Sequence, residues 1–351
     1  MCSSDLTSHI QYDSLGRKTQ RIDKRKNRSV EQTTDWKYDT QKYGLGQLAE
    51  VKNNRGYRRV PHYDSLGRNY QTDTTVSGAG TFTESQTFDH LGRVWQRFDA
   101  SSGKDKNGIR GLQTEYNKYG YASAVTDVRH RNGQPIPIYQ RIHQMDARGN
   151  ITSSSASNEF IQTQKSYNHA TGLLEQVNSQ HLLGDSLQDL KYQWDNIGNL
   201  SYRMENSGSK NLQERFDYDG LNRLISASSN HKQQTLSYDL LGNITHKSDV
   251  GAYTYGNGAG PHAVTKAGDV TYKYDANGNN ISSSDGRTLS YSTFDKVIKI
   301  NKGSHQVTFA YGPERSRYKR TDHDSSTGNS KTPYYLGNVE LIDYTAGSRA
   351  G

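Results

Sequence analysis

Apolar and polar residues alternate along most of this chain, in short segments that end in an aromatic residue followed by aspartate. Residues 270–274 have the sequence Val-Thr-Tyr-Lys-Tyr, and the same alternation leads up to Trp194 and Tyr311. A period of two residues puts alternate side chains on opposite faces of a β-strand, so the pattern predicts half-buried strands. Helical spacing is rare, and its best candidate is the short segment 182–190.

A motif recurs at the ends of these segments: an aromatic residue, an aspartate, and a glycine three positions after the aspartate. The complete copies are Tyr12, Asp13 and Gly16; Tyr63, Asp64 and Gly67; Phe88, Asp89 and Gly92; Trp194, Asp195 and Gly198; Tyr238, Asp239 and Gly242; and Tyr274, Asp275 and Gly278. Arg17, Arg68 and Arg93 follow the glycine in the first three copies, and Tyr218 and Asp219 begin a copy in which Asn222 replaces the glycine. Looser copies begin at Tyr38, Tyr116, Met145, Tyr167 and Phe294.

The Asp-x-x-Gly spacing is typical of a tight turn. Aspartate is favoured at the first position of a type I turn and glycine at the fourth. The carboxylate accepts hydrogen bonds from backbone N–H groups shortly after it, and glycine takes the positive φ that completes a G1 bulge. Asn tolerates the same backbone region, which fits the exchange at Asn222. Each repeat is therefore predicted to be one β-hairpin, with the aromatic residue ending its first strand.

Hairpins in tandem can pair their edges with one another, whereas a single hairpin is marginally stable in water. We therefore expect an all-β chain whose repeats form a long, curved antiparallel sheet, because long sheets twist and curl. The predicted divisions are an irregular N-terminal end at 1–11, repeats at 12–250, C-terminal repeats at 251–335 and a tail at 336–351.

Composition refines this picture. Only 31% of the residues are hydrophobic, but 25 are tyrosine, which predicts a thin interior rich in tyrosine. The single cysteine, Cys2, excludes an internal disulfide framework and a cysteine-based zinc site. The net charge is +8, and its densest run, Lys24–Lys26, is interpreted as a solvated strand or turn, so no nucleic-acid partner is expected. The sequence has no transmembrane segment, and no signal peptide is recognised at its start.

The motif Tyr-Asp-x-x-Gly-[Arg/Asn] resembles the YD (RHS) repeats of bacterial Rhs polymorphic toxins, toxin-complex C components, wall-associated repeat proteins and the teneurin shell. The resemblance runs from Tyr12 to about Tyr335. Gly260–Val264, with the sequence GPHAV, and the segment 309–320 resemble stretches that precede the core segment of bacterial members. This order favours a bacterial toxin over a teneurin.

The resemblance implies a shell segment that encloses a C-terminal toxic domain until delivery, without catalysis of its own. Its implied partners are that cargo, the remaining shell repeats and a bacterial secretion system that delivers the protein outside the cell. The family's autoproteolytic core and a toxin domain are not recognised in this sequence, so we expect a fragment of a longer shell protein.

Other functions for the motif residues stay open at this stage. The aspartates are also suited to Ca²⁺, although a turn explains their spacing without an ion, and we expect neither metal nor cofactor. The arginines could hold an acidic cargo, or pair with aspartates of neighbouring hairpins, which we favour. An adhesion surface that binds glycans through Trp36, Trp95 and Trp194 is the alternative function, although packing explains these aromatic residues more simply. The searched catalytic motifs are absent from the sequence, so no enzymatic activity is expected.

Overall fold

The computed structural model describes residues 7–25, 27–102, 110–129 and 135–346. Within these ranges the regular structure consists of thirty β-strands joined mostly by short turns. Most consecutive strands pair in antiparallel fashion, so the predicted all-β class built from tandem hairpins is confirmed. The described ranges contain no helix long and apolar enough to cross a membrane. Cys2 and Lys26 lie outside the described residues.

One compact unit comprises residues 1–110 and 255–351. Its first part contains β1 (Thr7–Tyr12), β2 (Lys18–Lys24), β3 (Val30–Tyr38), β4 (Leu48–Asn53), β5 (Tyr57–Tyr63), β6 (Asn69–Val76), β7 (Gly80–Phe88) and β8 (Val94–Phe98). Its second part contains β22 (Val264–Ala267), β23 (Val270–Tyr274), β24 (Asn280–Ser283), β25 (Arg287–Tyr291), β26 (Val297–Lys302), β27 (His305–Tyr311), β28 (Arg317–Asp324), β29 (Asn329–Leu336) and β30 (Val339–Thr345).

The second compact unit comprises residues 111–254. Its strands are β9 (Leu112–Tyr116), β10 (Ala122–Asp127), β11 (Ile138–Met145), β12 (Ile151–Ala156), β13 (Ile161–Tyr167), β14 (Leu174–His181), β15 (Ser186–Trp194), β16 (Leu200–Ser207), β17 (Lys210–Tyr218), β18 (Leu224–Ser229), β19 (Gln233–Tyr238), β20 (Ile244–Lys247) and β21 (Gly251–Tyr255), the last of which ends at the division. Each strand from β9 to β20 pairs with the next.

A register shift marks the motif end of each hairpin. His62 pairs with Gln71, but its neighbour Tyr63 pairs with Asn69. The residue between Asn69 and Gln71 therefore has no partner on β5 and forms a β-bulge in β6. The same shift occurs beside Tyr12, Phe88, Trp194, Tyr218, Tyr238 and Tyr274. The predicted bulge is confirmed, and in these copies the aromatic residue is the last residue of its strand.

The buried core of the first unit joins strands from both of its parts. Its cluster contains Val76, Phe82 and Ala100 from the first part, and Tyr318, Tyr334 and Leu336 from the second. The ring of Tyr57 lies 5.0 Å from that of Tyr318, measured between centroids. Two of its six buried residues are tyrosine, but most of the buried hydrophobic residues among the described ranges are valine or alanine, so the interior is less rich in tyrosine than expected.

Two further expectations differ from the structure. The segment 182–190 is not helical: Leu182 and Leu183 lie in an exposed turn between β14 and β15, because Gly184 adopts a φ of 98° and reverses the chain. The N-terminal end 1–11 is not irregular throughout, since β1 begins at Thr7, and residues 1–6 lie outside the described ranges. The predicted tail, 336–351, includes β30, which pairs with β29, and its boundaries stay a prediction.

Candidate functional site

The repeat turn is the feature that recurs through the chain, and the copy at Asp64 shows its construction. The Asp64 backbone N–H donates to the Arg68 carbonyl at 3.0 Å, and the Gly67 N–H donates to the Asp64 carbonyl at 2.9 Å. One carboxylate oxygen, Oδ1, accepts from the N–H groups of Leu66 and Arg68, at 2.9 and 3.0 Å. Gly67 has a φ of 72°, so the predicted turn is confirmed here.

The other glycines of the predicted motif are exposed at the tips of their turns, so they belong neither to the interior nor to an enclosed binding site. These exposed positions are Gly16, Gly92, Gly198, Gly242 and Gly278. Their φ angles are 74°, 80°, 89°, 87° and 84° respectively. The motif aspartates, by contrast, are half-buried. The two motif residues thus have different roles: the aspartate carboxylate accepts hydrogen bonds, whereas the glycine provides the positive φ that the turn requires.

The residue after the glycine closes the turn with its side chain as well. The Arg68 Nε donates to the second carboxylate oxygen of Asp64 at 2.8 Å. Arginine does the same towards Asp13, Asp89 and Asp219. Asparagine Nδ2 takes this role towards Asp146, Asp195, Asp239 and Asp275. Either Arg or Asn can follow the turn glycine, because each donates both a backbone and a side-chain hydrogen bond to the aspartate of its turn.

The expectation that motif arginines pair with aspartates of neighbouring hairpins holds for Arg17, which reaches both carboxylate oxygens of Asp39 at 3.0 and 2.7 Å. Arg17, Arg68, Arg93 and Arg223 also form ion pairs with the aspartate of their own turns. The reason is geometric, since the turn already brings the two side chains together. Sequence analysis missed this local pairing, although the fixed spacing of four residues was visible.

The motif aromatic residue connects each hairpin to the one before it. The Tyr63 hydroxyl donates to the Leu48 carbonyl at 2.8 Å, at the start of the strand that follows the preceding turn. Equivalent bonds run from Tyr218 to Leu200, Tyr238 to Leu224, Tyr274 to Val264 and Tyr311 to Val297. Motif arginines also lie over the next aromatic ring, for example Arg68 over Phe88 at 4.1 Å. These contacts hold successive hairpins in register.

The two alternative ligand sites fit these contacts less well. The motif aspartates already accept several hydrogen bonds from their own turns, and among the described residues no group of three or more His, Cys, Asp or Glu side chains is placed to hold a metal ion. The Trp194 Nε1 donates to the Leu174 carbonyl at 2.8 Å, and its ring stacks near Tyr192. Trp194 therefore packs between hairpins, whereas Trp95 is 42% exposed.

The turn hydrogen bonds predict a loss of stability in acid. Donation from the Arg68 side chain lowers the pKa of Asp64, and donation from Arg223 lowers that of Asp219. A carboxyl whose pKa is lower in the folded state stabilises the protein above its unfolded pKa, near 3.9, and this stabilisation is lost as the pH falls. We expect the urea midpoint to be lower at about pH 3 than at about pH 6.

The variant Asp64→Asn serves as the matched comparison for this prediction. Asn117 occupies the same turn position and accepts from the N–H groups of Tyr119 and Tyr121, so an amide preserves the backbone bonds. The variant should therefore fold, with a smaller difference between its two midpoints. A midpoint that does not change with pH in the unsubstituted protein would refute the assigned role of the carboxylates.

Comparisons with known proteins identify similar folds. No family model and no curated protein sequence matches the chain. A structure of the Photorhabdus luminescens Tc holotoxin pore carrying a TccC3 mutation superposes with a TM-score of 0.78 at 16% identity, over 98% of this chain and 19% of that one. A crystal structure of TcdB2-TccC3 gives a TM-score of 0.77 at 15% identity, over 99% and 20%.

The chain thus spans about a fifth of the length of these solved chains. These superpositions establish the fold, and at identities this low they establish the fold alone. The fold agrees with the motif geometry described above. This chain therefore has the fold of a segment of these Tc toxin structures, built from hairpins whose motif resembles the YD/RHS repeat.

Proposed function

We propose that this chain is a structural segment of a YD/RHS toxin shell, which encloses a C-terminal toxic domain until delivery and performs no catalysis. The observation that carries the proposal is the superposition on a Tc holotoxin structure over 98% of the chain, at a TM-score of 0.78. The repeated turns support it independently, because they are the sequence signature by which the chain resembles this family.

The bonding of the repeats suits a wall. Each turn is closed by bonds within five consecutive residues, so hairpins can be added without changing those already formed. The tyrosine hydroxyl bonds, such as Tyr218 to Leu200, then join one hairpin to the next. Repeat proteins gain stability in this way from nearest-neighbour contacts, and such an array needs no cofactor.

A non-catalytic role is consistent with how the motif carboxylates are used. Catalytic carboxylates need a substrate within hydrogen-bond reach. Here Asp64 and Asp219 each accept two backbone N–H groups and an arginine side chain. These carboxylates therefore serve as hydrogen-bond acceptors within their own turns.

The exposed tips of the turns offer a surface for the other shell repeats that we propose as partners. The third residue of each motif turn points away from the hairpin, and Leu15, Leu66 and Ile197 are more than 70% exposed. An apolar side chain repeated at the turn tips suits packing against a further row of hairpins. The cargo domain and a secretion route out of a bacterial cell complete the proposed set of partners.

Limited proteolysis of the complete protein that contains this sequence tests the proposal. We expect the domain downstream of the repeats to stay intact at protease concentrations that degrade the same domain expressed alone. In denaturant that opens the repeats, the domain should be cleaved at the rate of the isolated domain. Equal cleavage rates in the native complete protein and the isolated domain, or a gene with no downstream domain, would refute enclosure.

A further inference from the structure

A cavity of about 330 Å³ lies within the first compact unit, where the turn between β27 and β28 meets one face of β1–β3. The ladders pair Ile10 with Arg21 and Arg21 with Thr34, which places these residues on that face. The cavity is lined by Ile10, Lys18, Arg21, Trp36, Pro313 and Arg315, together with Glu314. We call it the Arg21 cavity.

The cavity carries more positive than negative charge. Asp23 is fully buried, and its carboxylate accepts from the Arg21 Nε at 3.0 Å and from the Arg315 Nη2 at 3.2 Å. One carboxylate therefore balances two guanidinium groups, and Lys18 adds a third cation to the lining.

Glu314, the remaining charged residue of the lining, does not restore this balance. Its carboxylate forms an ion pair with Arg59, a residue that does not line the Arg21 cavity. The excess positive charge around Arg21 is thus left for another anion.

Two guanidinium nitrogens in this site lack an acceptor. The Arg21 Nη2 and the Arg315 Nε are buried and have no hydrogen-bond partner among the described residues. Arg21 as a whole is 93% buried, since its exposed fraction is 7%. Buried donors are rarely left unpaired, because desolvation is not compensated. Both arginines donate to the same carboxylate of Asp23, so the two guanidinium groups lie beside one another.

The backbone at Arg315 supports a specific role for its side chain. The Gly312 N–H donates to the Ser316 carbonyl and the Arg315 N–H to the Gly312 carbonyl, as in the motif turns. Arg315 thus occupies the position of the motif glycine, with a φ of 60°. A non-glycine residue is strained there, and such strain persists where a side chain has a function. The guanidinium is held over the Phe294 ring at 4.8 Å.

We propose that the Arg21 cavity binds a carboxylate attached to an apolar group. The carboxylate pairs with the guanidinium groups of Arg21 and Arg315, which line the cavity, and Lys18 adds electrostatic attraction. The apolar part of the ligand packs against Ile10 and Trp36. The volume is within the range of small-ligand pockets, and paired donors around an apolar space suit such a ligand. This binding is separate from the proposed shell function.

Titration of the chain with 3-phenylpropionate, monitored by calorimetry, tests the proposal. The uncharged isostere 3-phenylpropionamide is the control ligand. We expect the acid to bind at least about tenfold more tightly than the amide, since hydrogen bonds to charged groups are the stronger ones. Equal affinities for the acid and the amide, or tighter binding of inorganic phosphate than of the acid, would overturn the proposal.

Variants separate binding from folding. Arg315→Gly restores glycine at a positive φ, so the turn should form while the preference for acid over amide is lost. Lys18→Gln, at an exposed side chain, should weaken acid binding by a factor of a few. Lys37→Gln is the matched control, because Lys37 follows Trp36 on β3 and points to the opposite face. A folded Arg315→Gly variant that retains the preference would overturn the proposal.

A third arm distinguishes a free acid from a carboxylate on a polypeptide. A hexapeptide ending in Phe with a free C-terminus is compared with its C-terminally amidated form. Tight binding of the free form alone supports a chain terminus as the ligand, whereas binding of 3-phenylpropionate alone supports a small acid. Binding of neither probe would refute the site.

Discussion

Replacing Tyr318 by alanine is expected to lower the free energy of unfolding of the first unit by about 3–5 kcal/mol, as for other large aromatic residues in cores. Tyr318 is 5% exposed and belongs to the cluster with Val76, Phe82 and Leu336. Its hydroxyl donates to the Arg55 carbonyl at 3.1 Å. The side chain therefore joins two parts of the unit that are far apart in sequence, and its loss leaves a cavity between them.

Urea unfolding of the variant measures this effect, and two controls bracket it. Tyr318→Phe removes only the hydroxyl bond and should lower the free energy of unfolding by about 1 kcal/mol. Tyr344→Ala removes a tyrosine that is 74% exposed and should change it by less than about 0.5 kcal/mol. If Tyr318→Ala resembles Tyr344→Ala, the two parts of the unit do not share a core.

Replacing Gly67 by valine should lower the free energy of unfolding by about 1–3 kcal/mol. Gly67 has a φ of 72°, and a β-branched residue is strongly disfavoured at that value. Apart from Gly67 and its two chain neighbours, no atom lies closer than 3.8 Å to where its Cβ would be, so the effect comes from the local backbone conformation and not from a clash with another part of the fold.

The same turn and a second turn provide the comparisons for Gly67. Ser65→Val in the same turn should have little effect, because that position tolerates most residues. Asn222→Gly should stabilise the protein by up to about 1 kcal/mol, since Asn222 has a φ of 61° in the glycine position. Equal losses from Gly67→Val and Ser65→Val in urea unfolding would contradict the turn geometry.

The turns could be predicted from sequence because every group that closes them is local. Asp64, Gly67 and Arg68 lie within five residues, so turn preferences alone specify the hydrogen bonds and the positive φ. The strand positions could be predicted for the same reason, since the alternation of apolar and polar residues ends at the aromatic residue of each motif. The segment 182–190 was misassigned because four leucines suggested a helical face, whereas Gly184 already marked a turn.

The buried contacts of the first unit could not be predicted in this way. Arg315 and Asp23 are 292 residues apart, and no local pattern indicates that they form an ion pair. One signal was present: Arg315 stands where the motif has glycine, three residues after Gly312. A non-glycine residue at the glycine position of a repeated turn is worth examining, because the other copies show that glycine adopts this positive φ without strain.

The proposed role as a shell wall is tested most directly by a cryo-EM map of the complete protein that contains this sequence. The account predicts that these hairpins form part of a wall, with density for the downstream domain on its enclosed side. A map that places the downstream domain outside the wall, or shows the hairpins separated from any enclosure, would contradict it.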